Sequence, residues 1–219
     1  MNFSVQGHVD SGTLGFYCGR NMTMTCGQIR HQLRVTRRSL TPRQQYQSAD
    51  RLASTLCTQA FFLRAKRVGI YLANDGEIDP SVIMDICLQS RKQCFLPVLH
   101  PIGINRLYFA RFQRQTPLVE NRYGIAEPCL KQATLAPPWS LDIILMPLVG
   151  FDRRGNRMGM GGGYYDRTLA FVAAGNSPAP RLVGLAHSCQ EVSSISTHNW
   201  DIPLNNIITD REIICVKQR

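Results

Sequence analysis

The run from Asp142 to Arg167 limits the possible folds more than any other part of the chain. It opens on a continuous apolar segment, Asp142 to Met146 (DIILM), and passes through a polar turn. It then reaches three adjacent glycines, Gly161 to Gly163, and ends in a segment with helical spacing from Tyr164 to Ala174. A short apolar run without alternation is the pattern of a strand buried on both faces of a parallel sheet. Glycines between such a strand and a helix let the backbone take positive φ and approach a ligand closely. This order of strand, glycine loop and helix makes the chain an α/β protein and points to the loop as a binding element.

The rest of the chain repeats the alternation. Gly27 to Ser39 has a thin apolar side, with Arg30, Arg34, Arg37 and Arg38 on a neighbouring face. Thr41-Pro42-Arg43-Gln44 is a helix start with a capping box, continued by Tyr46, Ala49, Leu52, Ala53 and Leu56. Arg67 to Ala73 reads as a buried strand running into the turn Asn74-Asp75-Gly76-Glu77, and Asp79-Pro80 opens another helix. Gln93 to Leu99 is a strand with Pro97 expected near its end, and Arg106 to Phe112 is a half-exposed antiparallel strand. Asn121 to Pro138 is irregular. Arg181 to Ala186, Asn206 to Thr209 and Glu212 to Val216 supply the last strands. Strands alternating with helices imply a layered α/β sheet.

A chain of 219 residues is long enough to bury a core as one domain. The 25 basic and 15 acidic side chains give a net charge of +10, which favours an anionic partner: nucleic acid, a membrane surface, or a phosphorylated or carboxylated small molecule. Eight cysteines occur with no Cys-x-x-Cys pair and no histidine at metal-ligand spacing, and Cys87, Cys94 and Cys215 lie in apolar runs. The expectation is a reduced, cytoplasmic protein. The longest apolar stretch, Ile143 to Phe151, is too short to span a bilayer. Residues 1–26 show no periodicity and are expected to form a disordered leader, with one catalytic domain over residues 27–219.

Chemistry concentrates in the glycine loop. Successive N–H groups there can converge on phosphate oxygens, and the following helix adds the partial positive charge of its N-terminus. Arg157 can add a charge-assisted pair, and Asp166 can hold Mg²⁺ together with waters. The loop lacks the Gly-Lys-Ser/Thr ending of a Walker A motif, and Gly159, Gly161 and Gly162 do not fit Gly-x-Gly-x-x-Gly. The residues alone therefore imply nucleotide binding by another kind of loop. No Ser-His-Asp or Cys-His set is evident. His187 reads as a packing or hydrogen-bonding residue, and Trp139 and Trp200 as packing residues.

The stretch Phe151-Asp152, Gly155 to Gly159 and Gly161 to Arg167 closely resembles the signature of 5-formyltetrahydrofolate cyclo-ligases, also called 5,10-methenyltetrahydrofolate synthetases. The resemblance extends from about Ile29 to the C-terminus. It takes in the arginine-rich first helix, Tyr71-Leu72 and Gly76-Glu77-Ile78-Asp79, Leu96-Pro97, Tyr123-Gly124-Ile125 with Glu127-Pro128, and Trp200 to Leu204. Residues 1–26 lie outside it.

The resemblance implies a three-layer α/β/α fold, Rossmann-like, with a mostly parallel central sheet. It implies ATP-dependent conversion of 5-formyltetrahydrofolate to 5,10-methenyltetrahydrofolate, with Mg²⁺ as cofactor. The folate would be mono- or polyglutamylated and the enzyme a monomer with neither membrane nor nucleic-acid partner. Carried over position by position, Arg30 and Arg157 take catalytic roles. The ATP-binding set is Arg30, Arg34 and the loop residues Arg157, Met158, Gly159, Met160, Gly161, Gly162, Gly163, Tyr164 and Tyr165. The folate contacts are Leu72, Glu77 and Tyr123, with Met160 to Tyr164 alongside. Asp166 and Asp201 match the Mg²⁺ positions.

Family members often carry a lysine four residues before the arginine matched by Arg30, where this chain has Cys26. Either Arg34 or Arg37 replaces that charge, or nucleotide affinity is reduced. Met160 and Gly162 stand where some members have basic residues. Two other readings remain open: a basic nucleic-acid-binding protein that uses the arginine helix, and a nucleotide sensor that has lost turnover.

Overall fold

The computed structural model describes residues 24–102, 104–175 and 178–217. The leader expected over residues 1–26 lies outside the described residues as far as residue 23. The helices are α1 (Cys26–Arg38), α2 (Pro42–Cys57), α3 (Ala60–Arg64), α4 (Ser81–Gln89) and α5 (Tyr164–Ala174). The strands are β1 (Arg67–Gly69), β2 (Gln93–Leu99), β3 (Leu107–Phe112), β4 (Leu118–Glu120), β5 (Ala126–Pro128) and β6 (Leu135–Ala136). They continue with β7 (Ile143–Pro147), β8 (Gly150–Phe151), β9 (Arg157–Met158), β10 (Arg181–Leu185), β11 (Asn206–Ile208) and β12 (Ile213–Cys215). None of the described helices is long and apolar enough to cross a membrane.

The main sheet has the order β12-β11-β10-β7-β1-β2-β3-β6. Its middle, from β11 to β2, is parallel, and the outer pairings with β12, β3 and β6 are antiparallel. The apolar run beginning at Asp142 is β7, flanked by β10 and β1. Asp142 itself accepts the N–H groups of Lys66 at 2.7 Å and Arg67 at 2.8 Å, which fixes the start of β1.

Alternate residues of the sheet feed two cores, as the two-residue period of a strand requires. Val68, Cys94, Ile143, Leu145, Val183 and Leu185 meet Leu52, Leu56, Phe62, Ile83 and Cys87 from α2, α3 and α4. Phe95, Ile144, Met146, Leu182 and Ile207 meet Leu169 of α5 on the opposite face. Helices on both faces of a mostly parallel sheet give the expected α/β layering.

Four strand expectations change. The stretch over residues 121–138, expected to be irregular, contains β5 and β6. The strand read over Arg67 to Ala73 leaves the ladder at Gly69, with one further bond from Ile70 N–H to the Phe95 carbonyl at 2.9 Å. The chain then bends away, and the Tyr71 hydroxyl donates to the Ile78 carbonyl at 2.6 Å, closing a loop over residues 71–78. Pro97 does not end β2, which runs on to Leu99 against β3. Pro97 shares the side of the strand facing β1, and β1 has already left the sheet there, so no ladder bond is lost. The strand β3 is more buried than a half-exposed strand, because β6 pairs on its outer side and α5 packs near it. Cys87 and Cys94 are buried as expected, but Cys215 is exposed on the edge strand β12.

Candidate active site

The glycine loop is held from both ends. Before it, the buried Asp152 carboxylate accepts the N–H groups of Arg154 (2.9 Å), Asn156 (3.2 Å) and Ile195 (3.0 Å) and the Asn156 side-chain amide (2.9 Å). This shapes the turn between β8 and β9 and delivers Arg157 to the loop. After it, Gly163 at φ 64° is the N-cap of α5, and Gly161 stands at φ 97°. Both conformations favour glycine.

The carbonyls of the loop are drawn toward cations. The Arg30 Nε donates to the Gly159 carbonyl at 2.7 Å, and the Arg167 guanidinium donates to the Gly162 carbonyl at 2.6 Å, joined by the Asn105 amide at 3.3 Å. Among the described residues, no protein acceptor meets the N–H groups of residues 159–163. Engaged carbonyls and open N–H groups at a helix N-terminus are an arrangement that suits an anion. Arg157, nearly buried, donates both terminal nitrogens to one Asp166 oxygen at 2.9 and 2.7 Å. The Ile202 N–H reaches the same oxygen at 3.3 Å.

The facing wall is built by residues 72–77 and the C-terminal half of α1. Asp75, at φ 55°, receives Arg34 at 2.8 Å, Arg37 at 2.8 Å and Arg38. Burial opposes its ionisation, but the hydrogen bonds from these three arginines outweigh it and hold the carboxyl at about 2. Arg37 is 0% exposed and also donates to the backbone carbonyls of Asp75 (2.8 Å) and Leu148 (3.1 Å). Two residues on, Glu77 behaves in the opposite way. Burial pushes it up to about 7; Arg37, 3.8 Å away, and the Asn74 N–H at 3.2 Å offset only part of this.

A third element closes the side. The hairpin of β4 and β5 is anchored through Glu127, which accepts the Leu99 N–H at 3.1 Å and the Asn121 amide at 2.9 Å. Its tip carries Tyr123, 56% exposed, whose hydroxyl lies 2.8 Å from that of Tyr164 with the rings edge to face. Arg122 donates to the Tyr164 hydroxyl at 2.6 Å and covers the Tyr123 ring.

All of these walls line one cavity of about 1540 Å³. Every site residue read from the sequence borders it: Arg30, Arg34, Leu72, Glu77, Tyr123, Arg157 to Asp166, and Asp201. Cys26 borders it too, as the first residue of α1. Arg37 does not, so it cannot supply the charge of the family lysine. Nor do Arg34, Arg37 and Arg38 form a free basic face, because they converge on Asp75.

Several participants went unread. Asp75 appeared only as a turn residue; the signal was an acid in a tight turn matched to an arginine-rich helix. Arg167 and Arg122 were legible only as neighbours of motif residues. Trp200 is no packing residue: it is 67% exposed, stacked on His198, and borders the cavity. Trp139 is also exposed but packs edge to face on Phe171.

Among the described residues there is no group of three or more His, Cys, Asp or Glu placed to hold a metal. Asp166 and Asp201 nevertheless suit Mg²⁺. Each has one oxygen occupied by hydrogen bonds and the other without a protein partner among the described residues. Mg²⁺ is commonly bound by one or two carboxylates, with waters and phosphate oxygens completing its shell.

Comparison with known proteins bears on this geometry. The model of the 5-formyltetrahydrofolate cyclo-ligase family matches residues 23–210, and so includes Cys26, the last residue of the segment expected to lie outside the resemblance. The chain is 40% identical over 181 residues to a 5-formyltetrahydrofolate cyclo-ligase of Haemophilus influenzae, covering 83% of this chain and 95% of that protein. It is 38% identical to the protein of the same name from Escherichia coli K12, covering 83% and 98%. The solved structure of the Aquifex aeolicus 5,10-methenyltetrahydrofolate synthetase superposes with a TM-score of 0.75 at 26% identity, over 90% of this chain and 95% of that one.

Proposed function

The chain belongs to the 5-formyltetrahydrofolate cyclo-ligase family, and from that premise we propose how its cleft divides the family's reaction between two walls. The enzyme converts 5-formyltetrahydrofolate to 5,10-methenyltetrahydrofolate at the expense of ATP. The formyl oxygen attacks the γ-phosphorus, the bond to the β-phosphate oxygen breaks, and ADP leaves. The resulting imino phosphate has an electrophilic carbon. N10 adds to that carbon and loses its proton, and the carbon–oxygen bond breaks to release phosphate.

The open N–H groups of residues 159–163 bind the ATP phosphates, and this arrangement is the observation that carries the reading. Arg30 fixes the loop through Gly159 and keeps its remaining nitrogens for the nucleotide. Arg157, oriented by Asp166, stabilises the charge that shifts between phosphoryl oxygens during transfer. Asp166 and Asp201 would hold Mg²⁺ through the oxygens they leave without a protein partner, and the ion when bound would supply neutralisation of phosphate charge. Opposite them, Leu72 and Tyr123 contact the folate rings, and ionised Glu77 accepts hydrogen bonds from the pterin. Holding both substrates in line is itself a large part of the rate enhancement.

The same reading takes residues 27–219 as one catalytic domain, cytoplasmic and monomeric, acting on mono- or polyglutamylated folate. The test is direct: purified protein with 5-formyltetrahydrofolate and Mg-ATP forms methenyltetrahydrofolate, followed by absorbance. Folded protein that binds ATP and forms no product would make the chain a nucleotide sensor instead.

A further inference from the structure

Six aromatic side chains border the cavity: Tyr71, Tyr123, Tyr164, Tyr165, His198 and Trp200. Four are accounted for. Tyr71 is buried and bonded to the Ile78 carbonyl, Tyr165 packs against the core beneath α5, and Tyr123 and Tyr164 hold each other at the folate side. His198 and Trp200 remain. Their rings stack at 4.6 Å between centroids and 15° between planes. One face of the indole lies on the imidazole, and 67% of Trp200 is still exposed.

The stack is held in place. The Asp201 N–H donates to the His198 carbonyl at 3.1 Å, and the His198 N–H donates to the Asp201 carboxylate at 2.8 Å, so residues 198–201 form a turn locked from both ends. The next residue, Ile202, is buried and donates its N–H to the Asp166 oxygen that holds Arg157. Two residues, at most roughly 7 Å of chain, separate the indole from the group tied to the phosphate wall. The turn therefore continues directly from the residue bonded to Asp166 to an indole on the wall of the same cavity.

We propose that the Trp200–His198 stack is the platform on which the base of the nucleotide lies. The inference rests on the nucleotide reading of the glycine loop and adds to it a site for the purine. A flat apolar face at the cavity rim, continuous with the phosphate site, suits a purine ring, and an aromatic side chain contributes to base binding through stacking. The platform also gives a physical reason for an exposed tryptophan at this position, since packing in the core does not.

The test is calorimetric titration of ATP and, separately, of inorganic tripolyphosphate into the full chain, its Trp200→Ala variant and its Trp200→Phe variant. Stacking on one aromatic ring corresponds to a loss of about ten-fold or more in ATP affinity for Trp200→Ala. Tripolyphosphate and 5-formyltetrahydrofolate should bind as in the parent, and Trp200→Phe should recover most of the ATP affinity. Unchanged ATP affinity in Trp200→Ala overturns the proposal. So does an equal loss for tripolyphosphate, which would mean that the turn only positions Asp201, or a loss confined to the folate. A parent protein that binds neither ATP nor tripolyphosphate overturns the nucleotide reading itself, and this proposal with it.

Discussion

Two arginine–aspartate clusters face each other across the cleft, and they differ in stoichiometry. At the 74–77 turn, three arginines saturate both oxygens of Asp75, and one of them, Arg37, is wholly inside the protein. At the glycine loop, one arginine uses one oxygen of Asp166 and leaves the other open. In the first arrangement the carboxylate has no oxygen left for a ligand; it ties α1 to the loop that carries Glu77. The second keeps capacity on both partners, as a site for moving charge requires. The net charge of +10 therefore overstates the free positive surface, because part of it is neutralised internally.

Removing the key member of each cluster should fail differently. Asp75→Ala leaves the buried Arg37 without its carboxylate, and breaking a buried ion pair typically costs about 3–5 kcal/mol. Urea denaturation should show a loss of that size. A loss below about 1 kcal/mol would mean that the Leu148 and Asp75 carbonyls satisfy Arg37 unaided. Arg157→Ala should instead act on chemistry. Loss of one preorganised charge-stabilising donor lowers kcat by roughly 100- to 1000-fold, with KM for folate little changed. A kcat within a few-fold of the parent would remove Arg157 from the mechanism.

Glu77 sharpens the contrast, because it shares a turn with Asp75 and titrates in the opposite direction. Its folded value of about 7 lies above the ordinary 4.5. Neutral Glu77 therefore stabilises the free fold below about pH 4.5, and that contribution is lost as pH rises through about 7. Folate binding needs the ionised form, so KM for 5-formyltetrahydrofolate should fall as pH rises through about 7 and level off above it. In Glu77→Gln the KM should be roughly ten-fold higher at pH 8, the worth of a hydrogen bond to a charged group, and independent of pH. A KM in the parent that rises with pH would mean that the protonated carboxyl binds the pterin.

The two clusters were unequally legible in the sequence. The glycine loop, Arg157, Asp166 and the whole of α5 could be read because they form one contiguous run whose period changes within a few residues. The Asp75 cluster could not. Its arginines lie 37 to 41 residues from the aspartate, and an arginine helix has the same pattern whether its charges meet solvent or a distant carboxylate. The early end of β1 was hidden for a related reason. Ile70 and Tyr71 are as apolar as strand residues because they enter the same core after leaving the ladder. Trp200 was misread because tryptophan in an unpatterned segment is more often packed than exposed, and only the closed turn at residues 198–201 shows otherwise.

The smallest expected effect belongs to His187, which is buried beside the Asp75 turn rather than the glycine loop. Burial lowers its pKa from the ordinary 6.5, against the pull of Asp210 and the Gly76 backbone, and Arg37 lowers it further. The unfolded chain thus takes up a proton near pH 6.5 that the folded chain refuses. Stability from this group is fully present above about pH 6.5 and is lost as pH falls toward the folded value, by at most about 1.4 kcal/mol per pH unit. Denaturation midpoints measured between pH 7.5 and 5.5 should decline for the parent and decline less for His187→Gln. The pairing of Arg157 with Asp166 lies outside this environment, so the pH dependence of kcat should be the same in both proteins. A His187→Gln variant that altered the kcat profile while leaving the stability slope intact would place the histidine in the reacting half of the cleft and dissolve the division between the two clusters.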